Sequence, residues 1–263
     1  GNSPKGSLLI KKVSSADNSP ISDVQFFVTE SDGTVVGDGN GYFITDSAGT
    51  ILIEGIEPGT TLVVKETRAK EGFLLDDTPQ TVQIKAGQTT TIEFRNQPKG
   101  NLIIHKLSGA DRKTPLEGVQ FKITYADGTL IGDSNGIFRT DENGEIRIEG
   151  LAPGKSVIVT EVSAPPGYII DSQSQTIQIK EGRTVSLTFK NQPKGELIIV
   201  KRDSATGAPL PGAQFRITTA AGCEVGLDGV IGTSTLTQNG IFETDSSGQI
   251  PIPNLAPGAY VVT

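Results

Sequence analysis

The sequence has one cysteine, Cys223, and contains neither methionine nor tryptophan. A single thiol cannot form a disulfide within the chain, so if the protein is extracellular, any covalent staple in it is of another type. No apolar run is long enough to form a membrane-spanning helix, and no signal peptide or cell-wall sorting motif is present. We therefore expect no membrane insertion by these residues, and we expect any secretion signal or wall anchor to lie outside them.

Strong charge of one sign is also lacking, because the net charge of −7 is spread over well-mixed acidic and basic residues. This pattern argues against nucleic acid or an anionic membrane as a partner. The only histidine, His105, falls on an outward strand position, which favours a solvated residue over a metal ligand or base. Cys223 has no histidine near it in sequence, and we interpret it as a passive thiol. No cofactor is indicated.

Three short motifs weakly resemble calcium-binding loops, but each lacks the further spaced ligands and the closing glutamate of such a loop. We interpret them as hairpin turns, and we predict no metal site. The three motifs are Asp46–Gly49, Asp141–Gly144 and Asp245–Gly248.

What the chain does have is glycine, proline and short alternating apolar segments, with 32 glycines and 15 prolines in 263 residues. These features predict an all-β protein. The same segments recur with a period of 94 to 95 residues, as the spacing of Lys12, Lys106 and Lys201 shows. That period is the size of a small autonomous domain. The predicted boundaries are a preceding repeat or linker at 1–4, with Asn2 as the last residue of an upstream unit, unit one at 5–98, unit two at 99–193 and unit three at 194–263.

Each complete unit is predicted to hold about seven short strands, which is typical of a β-sandwich. In unit one the last two strands, Thr81–Lys85 and Thr89–Arg95, are expected to form a hairpin. Unit three has about ten extra residues between Thr219 and Asn239, and it is expected to be incomplete because the chain ends before its last strands. The short proline-containing linkers predict a semi-rigid rod. Lys99 and Lys194 are interpreted as ordinary linker lysines.

Strand parity identifies the residues of interest, because alternate side chains of a strand share a face. Lys12 shares the apolar face of the first strand with Leu8 and Ile10, and Asn96 shares that of the last strand with Phe94. An inward glutamate lies between them in sequence. The inward set is Lys12, Glu66 and Asn96 in unit one, and Lys106, Glu161 and Asn191 in unit two.

Two interpretations of these inward polar residues are open from the residues alone. The first is a buried salt bridge with a hydrogen-bonded asparagine, since buried charges persist when they are paired. The second is a covalent amide between the lysine amine and the asparagine side chain. Burial lowers the pKa of a lysine and raises that of a carboxylic acid, which would leave a neutral nucleophile beside a protonated acid. The carboxyl could then polarise the asparagine carbonyl and carry a proton to the leaving ammonia.

Three motifs carry a resemblance, which covers essentially the whole chain, to the collagen-adhesin B-type, prealbumin-like repeat domains of Gram-positive surface proteins and pilins. The first strands resemble the family in LIIVKRDSATGAPLPGAQF, the glutamate box in VIVTEVSAPPGY, and the terminal strand in FKNQPKG. The resemblance implies that Lys106 and Asn191 form an isopeptide bond with Glu161 as the catalytic residue. It also places Lys201 at the donor position of unit three, where it would be unpaired.

In unit one the matching residues are Lys12, Glu66 and Asn96. The glutamate box of unit one, VVKETRAKEGF, departs from the family pattern because Lys70 and Phe73 replace the usual proline and tyrosine. The glutamate itself is retained.

The fold implied by the resemblance is a set of tandem prealbumin-like, reverse immunoglobulin β-sandwiches. The implied function is the structural stalk of a cell-surface adhesin or pilus-like protein, anchored to the cell wall and partnered by neighbouring repeats. Other domains would then bind any host extracellular protein or glycan. An alternative is that loops, or the extra residues of unit three, bind such a partner directly. A turnover enzyme is disfavoured, because the Lys-Glu-Asn set would consume itself in one autocatalytic event.

Overall fold

The fold is seen in a computed structural model that describes residues 3–226, 229, 231 and 240–263. Within these residues the chain forms 19 β-strands and no α-helix, so the predicted all-β class is confirmed. The same residues provide no apolar helix of membrane-spanning length. Asn2, and the part of the extra unit-three segment at 227–228, 230 and 232–239, lie outside the described residues.

The strands of unit one form two sheets that enclose one apolar core. The three-stranded sheet has the order β4-β1-β7, and the four-stranded sheet has the order β3-β2-β5-β6. The strands are β1 (Gly6–Ser14), β2 (Gln25–Glu30), β3 (Tyr42–Ile44), β4 (Thr50–Ile56), β5 (Thr61–Arg68), β6 (Gln80–Gln83) and β7 (Thr89–Asn96).

Unit two repeats this arrangement, with sheets of order β11-β8-β14 and β10-β9-β12-β13 around its own core. Its strands are β8 (Gly100–Ser108), β9 (Gln120–Tyr125), β10 (Ile137–Arg139), β11 (Glu145–Leu151), β12 (Ser156–Ser163), β13 (Gln175–Gln178) and β14 (Thr184–Asn191).

The first and last strands of a complete unit lie side by side and run parallel. In unit one, Lys12 is opposite Phe94 and Ser14 is opposite Asn96, with no shift of register between them. Lys12 and Asn96 are therefore diagonal neighbours on adjacent strands, and both point into the core. In unit two, Lys106 is opposite Phe189 in the same way.

The predicted closing hairpin of unit one is wrong. Strand β6 pairs with β5 in one sheet, whereas β7 pairs with β1 in the other. The turn at Gly87, whose φ is +62°, is thus a corner between two sheets. The motif Asp46–Gly49 also forms a turn, but it joins β3 to β4, which again belong to different sheets. A turn sequence fixes the local bend of the chain and does not say which strands pair on either side of it.

The described residues of unit three form five strands in two smaller sheets, β15-β18 and β17-β16-β19. Val262 pairs with Ile217 in unit three, just as Val159 pairs with Ile123 in unit two, so Val262 corresponds to Val159. The last residue of the sequence therefore lies one position before the residue that would correspond to Glu161. Among the described residues no strand lies beside β15 where β7 and β14 lie in the other units. The strands are β15 (Gly195–Val200), β16 (Gln214–Thr219), β17 (Ile241–Glu243), β18 (Gln249–Leu255) and β19 (Tyr260–Val262).

The linker between units one and two is hydrogen-bonded to both. On the unit-one side, the Gln97 carbonyl accepts from Leu74 N at 2.9 Å, and Lys99 N donates to the Gly72 carbonyl at 2.8 Å. On the unit-two side, Gly182 N donates to the carbonyl of the intervening proline at 3.2 Å. The linker backbone is therefore held from both sides, which restricts bending at the junction.

Thr90 on β7 buries a hydroxyl that has no hydrogen-bond partner among the described residues. Unit two has Val185 at the matching position: Thr90 is opposite Leu8, and Val185 is opposite Leu102. Burying an unpaired hydroxyl costs free energy that valine avoids at nearly the same shape.

We predict that Thr90→Val raises the free energy of unfolding of unit one by about 1 kcal/mol. Hydrogen exchange of peptides from β1 and β7 in the intact chain measures this. Thr91→Val, at an exposed position of the same strand, is the matched control and should change protection little. Equal or lower protection in Thr90→Val would contradict the interpretation.

Candidate functional site

The inward polar residues of unit one meet because three strands bring them to one end of the core. Lys12 lies near the end of β1, and Asn96 ends β7 in the same sheet. Glu66 lies on β5 in the opposite sheet, where Leu62 and Val64 share its inward face. The period-two alternation of each strand thus points all three polar groups into the same apolar space.

All six predicted residues are removed from solvent. Lys12 and Glu66 have no exposed surface, and Asn96 is 1% exposed. The unit-two residues Lys106, Glu161 and Asn191 are at most 2% exposed. Lysine and glutamate are almost never buried to this extent unless something compensates their charge.

In unit one the three polar groups form a closed triangle. Lys12 Nζ donates to Asn96 Oδ1 at 2.6 Å, and it lies 2.7 Å from Glu66 Oε2. The other carboxylate oxygen, Oε1, accepts a hydrogen bond from Asn96 Nδ2 at 2.5 Å. Glu66 therefore bridges the amine that would attack and the amide nitrogen that would leave.

Unit two has the same triangle with better alignment. Lys106 Nζ donates to Asn191 Oδ1 at 2.5 Å and to Glu161 Oε2 at 2.8 Å. Asn191 Nδ2 donates to Glu161 Oε1 at 2.5 Å. In unit one the matching oxygen, Glu66 Oε2, receives no well-aligned hydrogen bond from the described residues. The 2.7 Å separation still makes the Lys12–Glu66 contact a close ion pair, because Coulomb attraction depends on distance more than on angle.

Two phenylalanine rings enclose each amine. In unit two, Lys106 Nζ lies 5.8 Å from the ring centroids of both Phe121 and Phe189, and the two centroids are 4.9 Å apart. In unit one, Phe26 and Phe94 occupy the matching places around Lys12. These rings were not predicted to be part of the site. Strand parity could have identified two of them, because Phe94 and Phe189 share the inward face with the asparagine two residues later.

Burial lowers the pKa of Lys12 and of Lys106 below the ordinary value of 10.5, because desolvation disfavours the ammonium. The hydrogen bond and the charge of Glu66 raise the pKa of Lys12, but they do not cancel the desolvation, and Glu161 acts on Lys106 in the same way. The neutral, nucleophilic amine is therefore more accessible at a given pH than it is for a surface lysine.

The donor position of unit three has a different environment. Lys201 is exposed, in keeping with the lack of a second strand beside β15 among the described residues. Its neighbours on β15 are less buried than the residues of β1 and β8. The described residues of unit three bring no glutamate and no asparagine to the place of Glu161 and Asn191.

The other sequence candidates do not converge on a site. His105 is half-buried, and its Nδ1 lies 3.1 Å from Glu145 Oε1 on the neighbouring strand. Cys223 is an exposed free thiol. The side chain of Asp141 caps its own turn by accepting from Glu145 N at 2.8 Å. In the part of the chain that the structure describes, no three His, Cys, Asp or Glu side chains gather where they could hold a metal ion.

The lowered lysine pKa gives a testable pH dependence. In Asn191→Ala no amide can form, so Lys106 keeps a free amine. Between its lower folded pKa and its unfolded pKa, the unfolded chain binds more protons than the folded chain. The contribution of Lys106 to the free energy of unfolding should therefore rise as the pH increases towards the ordinary lysine pKa of 10.5.

Urea denaturation of Asn191→Ala, compared with Asn191→Ala combined with Lys106→Met, isolates that contribution. We expect the difference between the two variants to grow in favour of the lysine variant as pH increases. A difference that is flat or shrinks with pH would mean that the pKa of Lys106 is not lowered.

Comparison with known proteins agrees with the architecture. The sequence matches the family described as the SpaA prealbumin-like fold domain at residues 6–98, 100–193 and 195–263. A comparison with curated proteins gives no match.

Three solved structures illustrate the similarity. The Bacillus anthracis TIE protein is 26% identical, with 99% of this chain and 45% of that chain covered and a TM-score of 0.47. This chain thus spans less than half of that protein. BcpA, the major pilin subunit of Bacillus cereus, is 16% identical over 98% of this chain and 87% of that chain, with a TM-score of 0.44. GBS52, the minor pilin of Streptococcus agalactiae, is 19% identical over 76% of this chain and 99% of that chain, with a TM-score of 0.36.

Proposed function

The chain belongs to the SpaA prealbumin-like fold domain family, and from that premise we propose that it is part of the structural stalk of a bacterial surface protein. We propose three units with the boundaries 5–98, 99–193 and 194–263. Units one and two each close themselves with an isopeptide bond between the first and the last strand. The stalk stands outside the cell and holds other domains of the same protein away from the wall.

The observation that carries this proposal is the buried triangle of lysine, glutamate and asparagine, which occurs twice with nearly the same distances. As a mere stabilising feature a buried ion pair is a poor choice, because desolvation offsets much of its attraction. As the components of an amide-forming reaction the three groups are complete. They supply a nucleophile, an electrophile and a proton carrier.

In unit two the reaction starts when the neutral amine of Lys106 attacks Cγ of Asn191. The contact of 2.5 Å from Nζ to Oδ1 places the amine at the reacting carboxamide. Glu161 takes a proton from the attacking nitrogen through Oε2 and supplies one to the leaving nitrogen, which now contacts Oε1. The C–N bond to the original amide nitrogen breaks, ammonia leaves, and a new C–N bond joins the two side chains.

The reaction occurs once per unit and consumes both reacting groups, so the chain is not a turnover enzyme in this proposal. The catalytic glutamates are Glu66 and Glu161. They touch the reacting atoms and emerge unchanged. Lys201 of unit three remains a free amine in this chain.

The bond matters for a stalk because of where force would enter. Tension pulls on the start of β8 and the end of β14, which are parallel neighbours. An amide between Lys106 and Asn191 transfers load directly between these strands and bypasses the 85 positions that separate the two residues. In the chain-entropy model, closing a loop of this length also stabilises the fold by about 4–5 kcal/mol, as a disulfide would.

The junction between units suits the same function. Besides the hydrogen-bonded linker, the hydroxyl of Ser15 in unit one donates to the carboxylate of Glu181 in unit two. Contacts on both sides of a short linker favour a semi-rigid rod over a flexible string.

A second candidate function, direct binding of a partner, is favoured by one observation on unit one. Phe27 and Tyr42 pair on the outer face of its four-stranded sheet, with centroids 4.8 Å apart and Tyr42 49% exposed. Unit two has Lys122 and Ile137 at these positions. Binding of host glycans or matrix proteins that Tyr42→Ser abolishes would favour this candidate, and an intact chain that binds none would exclude it.

We predict that units one and two do not lengthen when the intact chain is stretched in a single-molecule force experiment. Glu161→Ala should fold without its amide, because no other acid among the described residues contacts both reacting groups. Stretching this variant should release a length of about 300 Å, since 85 positions span about 3.3–3.6 Å each when extended.

Unit one serves as the control in the same molecule, because its amide forms independently of Glu161. Release of a similar length from the unsubstituted chain, when it is pulled from attachments at residues 5 and 193 so that the unbonded unit three carries no load, would contradict the stalk mechanism. A Glu161→Ala chain that still resists extension would show that the catalytic role belongs to another group.

A further inference from the structure

The backbone of the donor lysine is held between two turns that the proposed reaction does not itself require. In unit two, Lys106 N donates to the Gly144 carbonyl at 2.7 Å, and the Lys106 carbonyl accepts from Leu116 N at 2.9 Å. In unit one, Lys12 N donates to the Gly49 carbonyl at 2.8 Å, and the Lys12 carbonyl accepts from Ile21 N at 2.9 Å. The backbone N–H and carbonyl of each lysine are thus held by these turns, independently of the hydrogen bonds between the first and last strands.

The same two backbone hydrogen bonds exist in unit three, where the described residues supply neither the glutamate nor the asparagine of the site. Lys201 N donates to the Gly248 carbonyl at 2.8 Å, and the Lys201 carbonyl accepts from Leu210 N at 3.1 Å. Lys201 is exposed, and the described residues of unit three place no buried partner beside it. These two backbone hydrogen bonds therefore form without the glutamate and the asparagine.

Glycine is required at the turn for two separate reasons. Gly144 has a φ of +69°, a conformation that side chains with a Cβ rarely adopt. A Cβ at Gly144 would also lie 2.5 Å from the Lys106 carbonyl oxygen and 3.0 Å from Leu116 N. Gly49 and Gly248 show the same close approach to their lysines, at 2.6 and 2.5 Å. The turn thus lies so close to the lysine backbone that it leaves no room for a Cβ at the glycine.

We propose that Gly49 and Gly144 are positioning residues for isopeptide formation, and that the Asp-x-x-Gly turns serve to place the donor lysine. This inference rests on the proposed function. The lysine side chain is a flexible four-carbon stem. Its amine reaches a defined position only if the Cα from which the stem starts is itself held in place. An amide-forming reaction demands near-contact geometry, and a displacement of about 1 Å slows such reactions by up to roughly a hundredfold. The glycines act through the lysine and touch no reacting atom.

The test follows bond formation in time in the full chain. The chain is made by cell-free synthesis, samples are quenched in acid at intervals, and protease digestion quantifies the cross-linked peptides of each unit by mass. Pulse proteolysis of the same samples gives the folded fraction, so that the rate is expressed per folded molecule. We expect Gly144→Ala to form the Lys106–Asn191 bond roughly ten- to a hundredfold more slowly than the unsubstituted chain. The Lys12–Asn96 bond in the same molecules should form at its normal rate.

Two further variants separate positioning from simple destabilisation. Gly128→Ala is strained to a similar degree, with φ +86°, but a Cβ there meets no atom within 4 Å, so the bond of unit two should form normally once the unit folds. Gly144→Asn relieves part of the backbone strain, because asparagine tolerates positive φ, yet it keeps the Cβ contact and should remain slow. Trimethylamine N-oxide, which favours folded states, should restore folding without restoring the rate per folded molecule.

The outcomes are distinct. If Gly144→Ala or Gly144→Asn forms its bond at the normal rate per folded molecule, the positioning role is overturned while the proposed function stands. If the unsubstituted chain forms neither cross-linked peptide, the proposed function fails and the positioning role fails with it.

Discussion

A lysine amine that is taken out of water is the constraint on which the rest of units one and two depends. Lys12 and Lys106 lie in the core between two phenylalanine rings, and among the described residues each contacts one carboxylate and one carboxamide. Desolvation favours the neutral amine and the carboxylate favours the ammonium, so the two effects oppose each other at one atom. A covalent amide ends this conflict, because it removes the charge and leaves a neutral group in the core.

The strand topology would give such an amide a mechanical role. The first and last strands of a unit are parallel neighbours, and every other strand lies between them in sequence. A bond across this pair therefore closes nearly the whole unit and lies on the direct path between two linkers. The Asp-x-x-Gly turn leads into the strand that pairs with the lysine strand, and the lysine and the asparagine lie on neighbouring strands of that same sheet. The opposite sheet contributes the glutamate, so the site is complete only when the two sheets have packed.

The burial of the six site residues was predictable from sequence because strand parity has a fixed period of two. An apolar residue two positions from Lys12 or Asn96 suffices to assign the face. The pairing of β6 with β5 was not predictable, since the turn at Gly87 is compatible with a hairpin and with a corner between sheets. The contact of the Gly144 carbonyl with Lys106 was missed for a related reason. It joins residues 38 positions apart, and nothing in a four-residue turn motif identifies a distant partner.

The central claim is that units one and two each contain a lysine–asparagine amide, and the intact mass of the chain tests it most directly. Each amide expels one molecule of ammonia, so the account predicts a mass lower than that of the sequence by two losses of about 17 Da. The variant with both Asn96→Ala and Asn191→Ala should show neither loss. An intact mass equal to that of the unmodified sequence would contradict the account, and a single loss would restrict it to one unit.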